Sequence, residues 1–94
     1  MHAFIVTYGV DGAVAAEHAE LCEQLGPAVA AVPGLVHRTR LENPDTGRYG
    51  AFYVFADASA FNRFVASELY ATLYGHPAVN GVTANDFAVT EDEQ

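Results

Sequence analysis

The stretch Tyr49-Gly50-Ala51-Phe52-Tyr53-Val54-Phe55-Ala56 decides the fold, because it carries no charge and is rich in aromatic residues. An uncharged aromatic segment of this length favours a β-strand, whose alternate side chains point to opposite faces. One face holds Tyr49, Ala51, Tyr53 and Phe55, and the other holds Gly50, Phe52, Val54 and Ala56. Neither face suits water. A chain this short has enough helices to cover only one face of the sheet. We therefore expect a second subunit to cover the other face.

The composition indicates a single small domain, spanning residues 1–94, that assembles into an oligomer. A domain of this size is only marginally stable as a monomer, and a hydrophobic content of 51% exceeds what such a monomer can easily bury. Twelve acidic residues against four arginines give a net charge of -8. This charge repels phosphate backbones and anionic lipids, so we expect no nucleic-acid and no membrane partner.

The chain lacks the signals of export and of membrane insertion. No apolar run approaches the ~20 residues that span a bilayer. The N-terminus has no basic region followed by an apolar core, and Cys22 is the one cysteine, so no internal disulfide can form. We expect a cytoplasmic protein.

Hydrophobic periodicity predicts four strands and two helices. The predicted strands are His2–Tyr8, Leu35–Asn43, Tyr49–Ala56 and Val82–Thr90. Asp11 caps a first helix with an apolar stripe from Val14 to Val32, which Pro27 should kink or split. Asp57 or Ser59 caps a second helix that continues to Tyr74. The acidic end at residues 91–94 is predicted to be a solvated tail.

This order, βαββαβ, predicts a ferredoxin-like α+β fold in which two helices cover one face of a four-stranded antiparallel sheet. The other face is predicted to be bare yet apolar, with Phe4 and Val6 among its residues. Large exposed apolar patches are rare on monomers. We therefore expect two sheets to meet face to face in a homodimer.

Features along nearly the whole chain carry a resemblance to a known family. They are Pro27, Pro33-Gly34, the segment Gly50–Asp57 before the second helix, and Phe87–Glu91. In order and spacing the chain resembles the YdhR-type putative monooxygenases of the dimeric α+β barrel superfamily, which includes antibiotic-biosynthesis monooxygenases and heme-degrading enzymes. The resemblance implies a cavity in each subunit between sheet and helices, near the end of the second helix.

The resemblance also bears on cofactors. Where heme-degrading relatives have a tryptophan, an iron-binding histidine and an asparagine, this chain has Phe64, Tyr74 and Thr7. These differences point away from heme, and we expect no cofactor. Cofactor-free oxygenases of the superfamily also use a tryptophan in this region, and this chain has none.

The second helix supplies the candidate catalytic residues. Tyr70 and Tyr74 lie four residues apart, so they share one helical face, and His76 follows just beyond. In a cofactor-free oxygenase the protein removes a proton, stabilises the resulting anion and excludes water. We predict His76 as the base and Tyr74 as the hydroxyl donor, with Tyr70 and Phe64 contacting the substrate. The alternative is that these residues serve the core and the helix end.

Other polar residues on the strands are weaker candidates. His37, Thr7 and Asn85 are predicted to contact substrate, with a structural role as the alternative for each. His18 and Cys22 are expected to be core residues, since two ligands alone make no zinc site, and no metal is predicted. Arg38 and Arg40 share one face of an edge strand. They either block unwanted pairing or anchor a substrate carboxylate or phenolate.

The sequence thus favours a cofactor-independent monooxygenase that acts on a small phenolic or polycyclic aromatic substrate. Two main alternatives remain open, besides heme binding, which the residues at Phe64, Tyr74 and Thr7 disfavour. One is a non-catalytic dimer that binds a small molecule in the same cavity, and the other is an isomerase or cyclase that works by proton transfer alone. The monooxygenase would need oxygen for turnover, whereas the isomerase or cyclase would not.

Overall fold

The computed structural model describes residues 1–90, so the predicted acidic tail at residues 91–94 lies outside the described part. The elements in chain order are β1 (His2–Gly9), α1 (Ala15–Ala30), β2 (Leu35–Asn43), β3 (Arg48–Phe55), α2 (Ala58–Val65), α3 (Glu68–Tyr74) and β4 (Asn80–Ala88). The strands form one antiparallel sheet in the order β2-β3-β1-β4. This confirms the predicted ferredoxin-like α+β fold. No helix within residues 1–90 is long and apolar enough to cross a membrane.

The two faces of the sheet differ as the alternation in β3 predicts. Tyr53 and Phe55 are 0% exposed beneath the helices, whereas Phe52 and Val54 lie half-buried on the uncovered face. The assignment of Phe4 and Val6 to the bare face was wrong. Phe4 pairs with Tyr53 across the sheet, which places it and every second residue of β1 on the helix-covered face.

Helix α1 runs without interruption from Ala15 to Ala30 although Pro27 lies inside it. The predicted split therefore does not occur. A proline removes one donor from the helix, but its carbonyl still accepts, and here it accepts from the Ala31 N–H at 3.2 Å. Asp11 caps a short 3-10 turn at Gly12–Val14 instead of α1 itself, with its carboxylate accepting from the Ala13 N–H at 3.1 Å. This turn leads into α1, whose N-cap Val14 makes no side-chain hydrogen bond.

The predicted second helix is in fact two helices, because a serine starts a new one. Asp57 caps α2 by accepting from the Ala60 N–H at 2.8 Å. Ser67 then donates to the Phe64 carbonyl at 2.6 Å and accepts from the Tyr70 N–H at 3.2 Å, which ends α2 and begins α3. The prediction of one continuous helix was wrong, and α3 alone carries Tyr70 and Tyr74.

Candidate active site

All five tyrosines of the chain lie in one connected group beneath the helices. We call this group the tyrosine network: Tyr8, Tyr49, Tyr53, Tyr70 and Tyr74. The Tyr74 ring centroid lies 4.9 Å from that of Tyr70 and 5.7 Å from that of Tyr8, and Tyr8 lies 6.4 Å from Tyr49. These separations are typical of interacting aromatic pairs. Strands β1 and β3 and helix α3 thus build one aromatic wall.

Two hydroxyls of this wall bond to each other. The oxygens of Tyr53 and Tyr74 are 2.5 Å apart, and either hydroxyl can donate. Burial raises the pKa of Tyr74, and the neighbouring Tyr53 raises it further. Tyr74 therefore stays protonated at neutral pH and can donate to an oxygen that gains negative charge.

A second hydrogen-bonded pair joins β1 to α1. His18 is only 4% exposed, and its Nε2 lies 2.7 Å from the Tyr8 hydroxyl. Burial raises the pKa of Tyr8, so its hydroxyl keeps its proton. It donates to His18 Nε2 in the imidazole tautomer that carries its proton on Nδ1. Burial also lowers the pKa of His18, and the charge of Arg40 lowers it further. His18 is thus a neutral imidazole that can accept a proton through Tyr8.

Cys22 lies next to this pair on α1, with Sγ 3.5 Å from His18 Nε2. The two side chains do not make a metal site. Within residues 1–90, no three His, Cys, Asp or Glu side chains come close enough together to hold a metal ion.

Two arginines of β2 border the same region. Arg38 lies opposite Tyr53 in the sheet and Arg40 opposite Ala51, so both are on the helix-covered face. The Arg38 guanidinium carbon is 5.7 Å from the centroid of the Tyr53 ring. We call the space between α1 and β2 the cleft. The tyrosine network, which we take as its inner wall, borders this space together with His18 and the two arginines.

The structure brings together Tyr70, Tyr74 and Phe64 among the predicted site residues. Phe64 is 2% exposed, and its ring lies 5.2 Å from Tyr53 and 5.4 Å from Tyr70, so it supports the aromatic wall from behind. His76 is placed differently. Its Nδ1 accepts from the Ala78 N–H at 3.0 Å, and its ring lies in a recess on the flank of α1.

The other three predicted residues lie on the uncovered face of the sheet, although Thr7 lines a recess together with Tyr49 of the tyrosine network. His37 is exposed, with Nε2 2.9 Å from the Thr39 hydroxyl. Thr7 accepts a hydrogen bond from Arg48 at 3.4 Å, and Asn85 pairs with Ile5 across the sheet. The sheet therefore separates these three side chains from Tyr74.

Sequence reasoning missed Tyr8, Tyr49, Tyr53 and His18 as site residues. The alternation in β3 already placed Tyr49 and Tyr53 on one face, and that in β1 placed Tyr8 with Phe4. What the sequence did not provide was the position of α1 above β1, which brings His18 to the Tyr8 hydroxyl.

Residues 4–94 match the family described as "Putative mono-oxygenase ydhR". The chain belongs to this family. The match confirms the resemblance on which the sequence analysis relied, and it supports a monooxygenase-like function for this family member. No protein among the curated sequences matches the chain.

Solved structures share the fold of this family member over nearly its whole length. SnoaB of Streptomyces nogalater, a cofactor-independent oxygenase solved as a point mutant, is 25% identical, with a TM-score of 0.73 over 97% of this chain and 94% of its own. An antibiotic biosynthesis monooxygenase homologue of Deinococcus radiodurans is 15% identical, with a TM-score of 0.83 over 100% and 97%. NE2512 of Nitrosomonas europaea, a protein of unknown function, is 17% identical, with a TM-score of 0.80 over 99% and 92%.

Proposed function

We propose that this member of the family is a cofactor-independent monooxygenase that oxidises a small phenolic or polycyclic aromatic substrate in the cleft. One observation carries the proposal: two hydrogen-bonded pairs, Tyr53–Tyr74 and Tyr8–His18, lie on one aromatic wall. The likeness to SnoaB, described as a cofactor-independent oxygenase, supports the same class of reaction.

In such a reaction the substrate supplies the electrons that reduce oxygen. A methylene between two aromatic rings loses a proton, and its carbanion transfers electrons to O₂. One oxygen atom becomes the new carbonyl and the other leaves as water, which balances the two hydrogens lost from the carbon. The protein's tasks are to accept the first proton, to stabilise the enolate oxygen, and to keep water out.

The chain offers a residue for each of these tasks. The Tyr8 hydroxyl, which donates to His18, can take a proton from the substrate as it passes its own to the imidazole. Tyr74 can donate to the enolate oxygen, and Tyr70 and Phe64 provide apolar surface. His76 stays an alternative base, and the pH–rate profiles of His18→Gln and His76→Gln would decide which histidine accepts the proton.

Oxygen uptake tests the proposal directly. Anthrone-type and hydroquinone-type compounds would be incubated with the protein in air and without oxygen, and uptake and product measured together. We expect oxygen-dependent conversion, lowered roughly 10²-fold or more in Tyr74→Phe, as when one donor to a developing oxyanion is removed. Equal inertness of wild type and variant across the panel would contradict the proposal.

One observation favours a second function, a dimer that binds a small molecule without converting it. The hydroxyls of Tyr53 and Tyr74 satisfy each other, as do the polar groups of Tyr8 and His18, so the wall is complete without a reacting group. A retained ligand with no turnover would support this function. Conversion that proceeds equally well without oxygen would instead support proton-transfer isomerisation or cyclisation.

The proposal includes a homodimer through the uncovered face of the sheet. Ile5, Phe52 and Val54 lie half-buried at the centre of this face, and Phe87 of β4 is 60% exposed beside Ala3. A second copy would cover these apolar side chains. It would also bring His37, Thr7 and Asn85 into the interface, where they would serve association.

A further inference from the structure

We propose that Arg38 and Arg40 bind an anionic oxygen of the substrate, so that the chain selects aromatic carboxylates or phenolates over neutral aromatic compounds. This inference rests on the proposed function, because it names the class of substrate that enters the same cleft.

The arginines stand where a ligand would enter. Strand β2 is an edge of the sheet, and apart from Leu35 and Arg38 its side chains are exposed. Arg38 and Arg40 nevertheless project from the helix-covered face, opposite Tyr53 and Ala51 of the inner wall. They therefore lie between solvent and the tyrosine network.

Arg38 also has an unused donor. Its Nε is buried and has no hydrogen-bond partner within residues 1–90. A buried donor without an acceptor is costly, and such groups in native structures call for an explanation. This nitrogen is covered as the side chain stands. When the guanidinium turns toward the cleft, a carboxylate or phenolate oxygen would satisfy it, since guanidinium groups bind oxygen anions through parallel N–H donors.

The distribution of acidic groups strengthens the argument. The chain has twelve acidic residues and four arginines, yet the ion pair found among the described residues joins His2 to Asp86 at 2.7 Å, not an arginine to a carboxylate. Within residues 1–90 neither guanidinium lies at ion-pair distance from a carboxylate. Glu42 follows Arg40 on the same face of β2 and offsets part of the positive potential, since its charge also reaches His18. Burial raises the pKa of Tyr8 and Tyr74, and the arginine charges act in the opposite direction. The potential thus extends to the inner wall.

There is room beside Arg38 for a small ring system. A recess of about 360 Å³ lies at the edge of the sheet, where α1 ends and β2 begins. Its lining joins Arg38 of the helix-covered face to His37 of the other face, with Ala30, Leu35 and Val36 between them, and Arg40 and the tyrosine network lie beyond it. This volume falls at the lower end of the range for small-molecule sites.

Two simpler roles explain the arginines only in part. Charges on an edge strand discourage pairing with another sheet, but charge on either face would do that. A guanidinium over an aromatic ring is itself favourable, and Arg38 lies close enough to Tyr53 for this. Neither role uses the buried Nε of Arg38, and neither requires Arg40 on the same face.

Calorimetric titration tests the site without any need for turnover. The probes are 2-naphthoate, its neutral counterpart 2-naphthalenemethanol, and a nitrophenolate at a pH where it is ionised. We expect both anions to bind wild type at least about tenfold more tightly than the neutral probe, as one charge-assisted contact gives. Arg40→Gln, an exposed position that folding tolerates, should remove most of this preference, and Arg38→Gln should remove it as well.

Arg63→Gln is the matched control, because it makes the same charge change on α2, where Arg63 donates to Ser59 at 2.9 Å. It should leave the preference intact. Equal affinities of wild type for charged and neutral probes would overturn the inference, as would equal weakening by Arg63→Gln. Dissociation of the Arg40→Gln protein into monomers would assign the arginine to association instead. Anion preference without oxygen uptake would defeat only the oxygenase proposal, and oxygen uptake indifferent to substrate charge would defeat only this inference.

Discussion

The burial of His18 controls its protonation. The side chain is 4% exposed, its Nε2 lies 2.7 Å from the Tyr8 hydroxyl, and its pKa is lowered first by burial and then by Arg40. A general base is most effective when it is neutral near the working pH. The environment therefore keeps His18 in its accepting form into mildly acid solution.

The same shift makes stability depend on pH. The folded pKa of His18 lies below the unfolded value of about 6.5, so the unfolded chain takes up a proton first as the pH falls. We expect His18 to contribute no pH dependence above about pH 7.5 and a progressive loss of stability from about pH 6.5 downward. Urea denaturation at several pH values, with wild type compared to His18→Gln, measures this. The exposed His37→Gln is the control, and equal slopes in wild type and His18→Gln would contradict the assignment.

The two histidines can be separated by their effect on catalysis. If His18 accepts the substrate proton through Tyr8, His18→Gln should lower kcat/KM by roughly 10²-fold or more and remove the acid limb of the pH–rate profile. His76→Gln should keep that limb and move it only slightly to higher pH, because its ring lies on the flank of α1 and its charge lowers the pKa of His18 less than burial does. The opposite pattern would restore His76 as the base that the sequence predicted.

The ends of a helix or strand could be predicted from the sequence only where neighbouring residues mark them. Strand β2 begins and ends where predicted, since Pro33-Gly34 and the turn at Asn43–Gly47 mark both ends in the sequence itself. The break between α2 and α3 was not predicted. The apolar spacing continues across it, and it depends on one hydroxyl that bonds to the Phe64 carbonyl and the Tyr70 N–H.

Removal of that hydroxyl should weaken the start of α3. Ser67→Ala is expected to lower the free energy of unfolding by about 1 kcal/mol, as loss of a helix N-cap does. Because α3 carries Tyr70 and Tyr74, the variant should also change the near-ultraviolet circular dichroism of the tyrosines. Ser59→Ala is the control, since Ser59 only accepts from Arg63 at an exposed site. Equal effects of the two substitutions would mean that Ser67 does not cap α3.

For the whole molecule, the fold was predictable and the site only partly so. Turn residues and alternating patterns fix the order βαββαβ, and two members of the tyrosine network, Tyr70 and Tyr74, follow from helical spacing. The rest of the site depends on which elements become neighbours in space. The register that sets Tyr8 opposite Tyr49, and the placing of His18 above Tyr8, come from tertiary packing that no local pattern encodes.

The uncovered sheet face decides the assembly of the molecule. Phe87 on β4 is 60% exposed and shares this face with Ile5, whereas Val82, 41% exposed, lies by alternation with Ala84 on the opposite side. If two copies meet through the uncovered face, a charge at its apolar surface would be buried without a partner, which is strongly unfavourable.

We therefore expect wild type to sediment at twice the 10.0 kDa chain mass at micromolar concentration, and Phe87→Asp to shift it toward the monomer by at least about tenfold in dissociation constant. Val82→Asp introduces the same charge on the same strand and should leave the dimer intact. A folded wild type that sediments as a single chain would refute association through this face. Only Phe87 lies where the second sheet would pack. Equal dissociation of the Phe87→Asp and Val82→Asp dimers would therefore mean that the added negative charge, and not its position, separates the subunits.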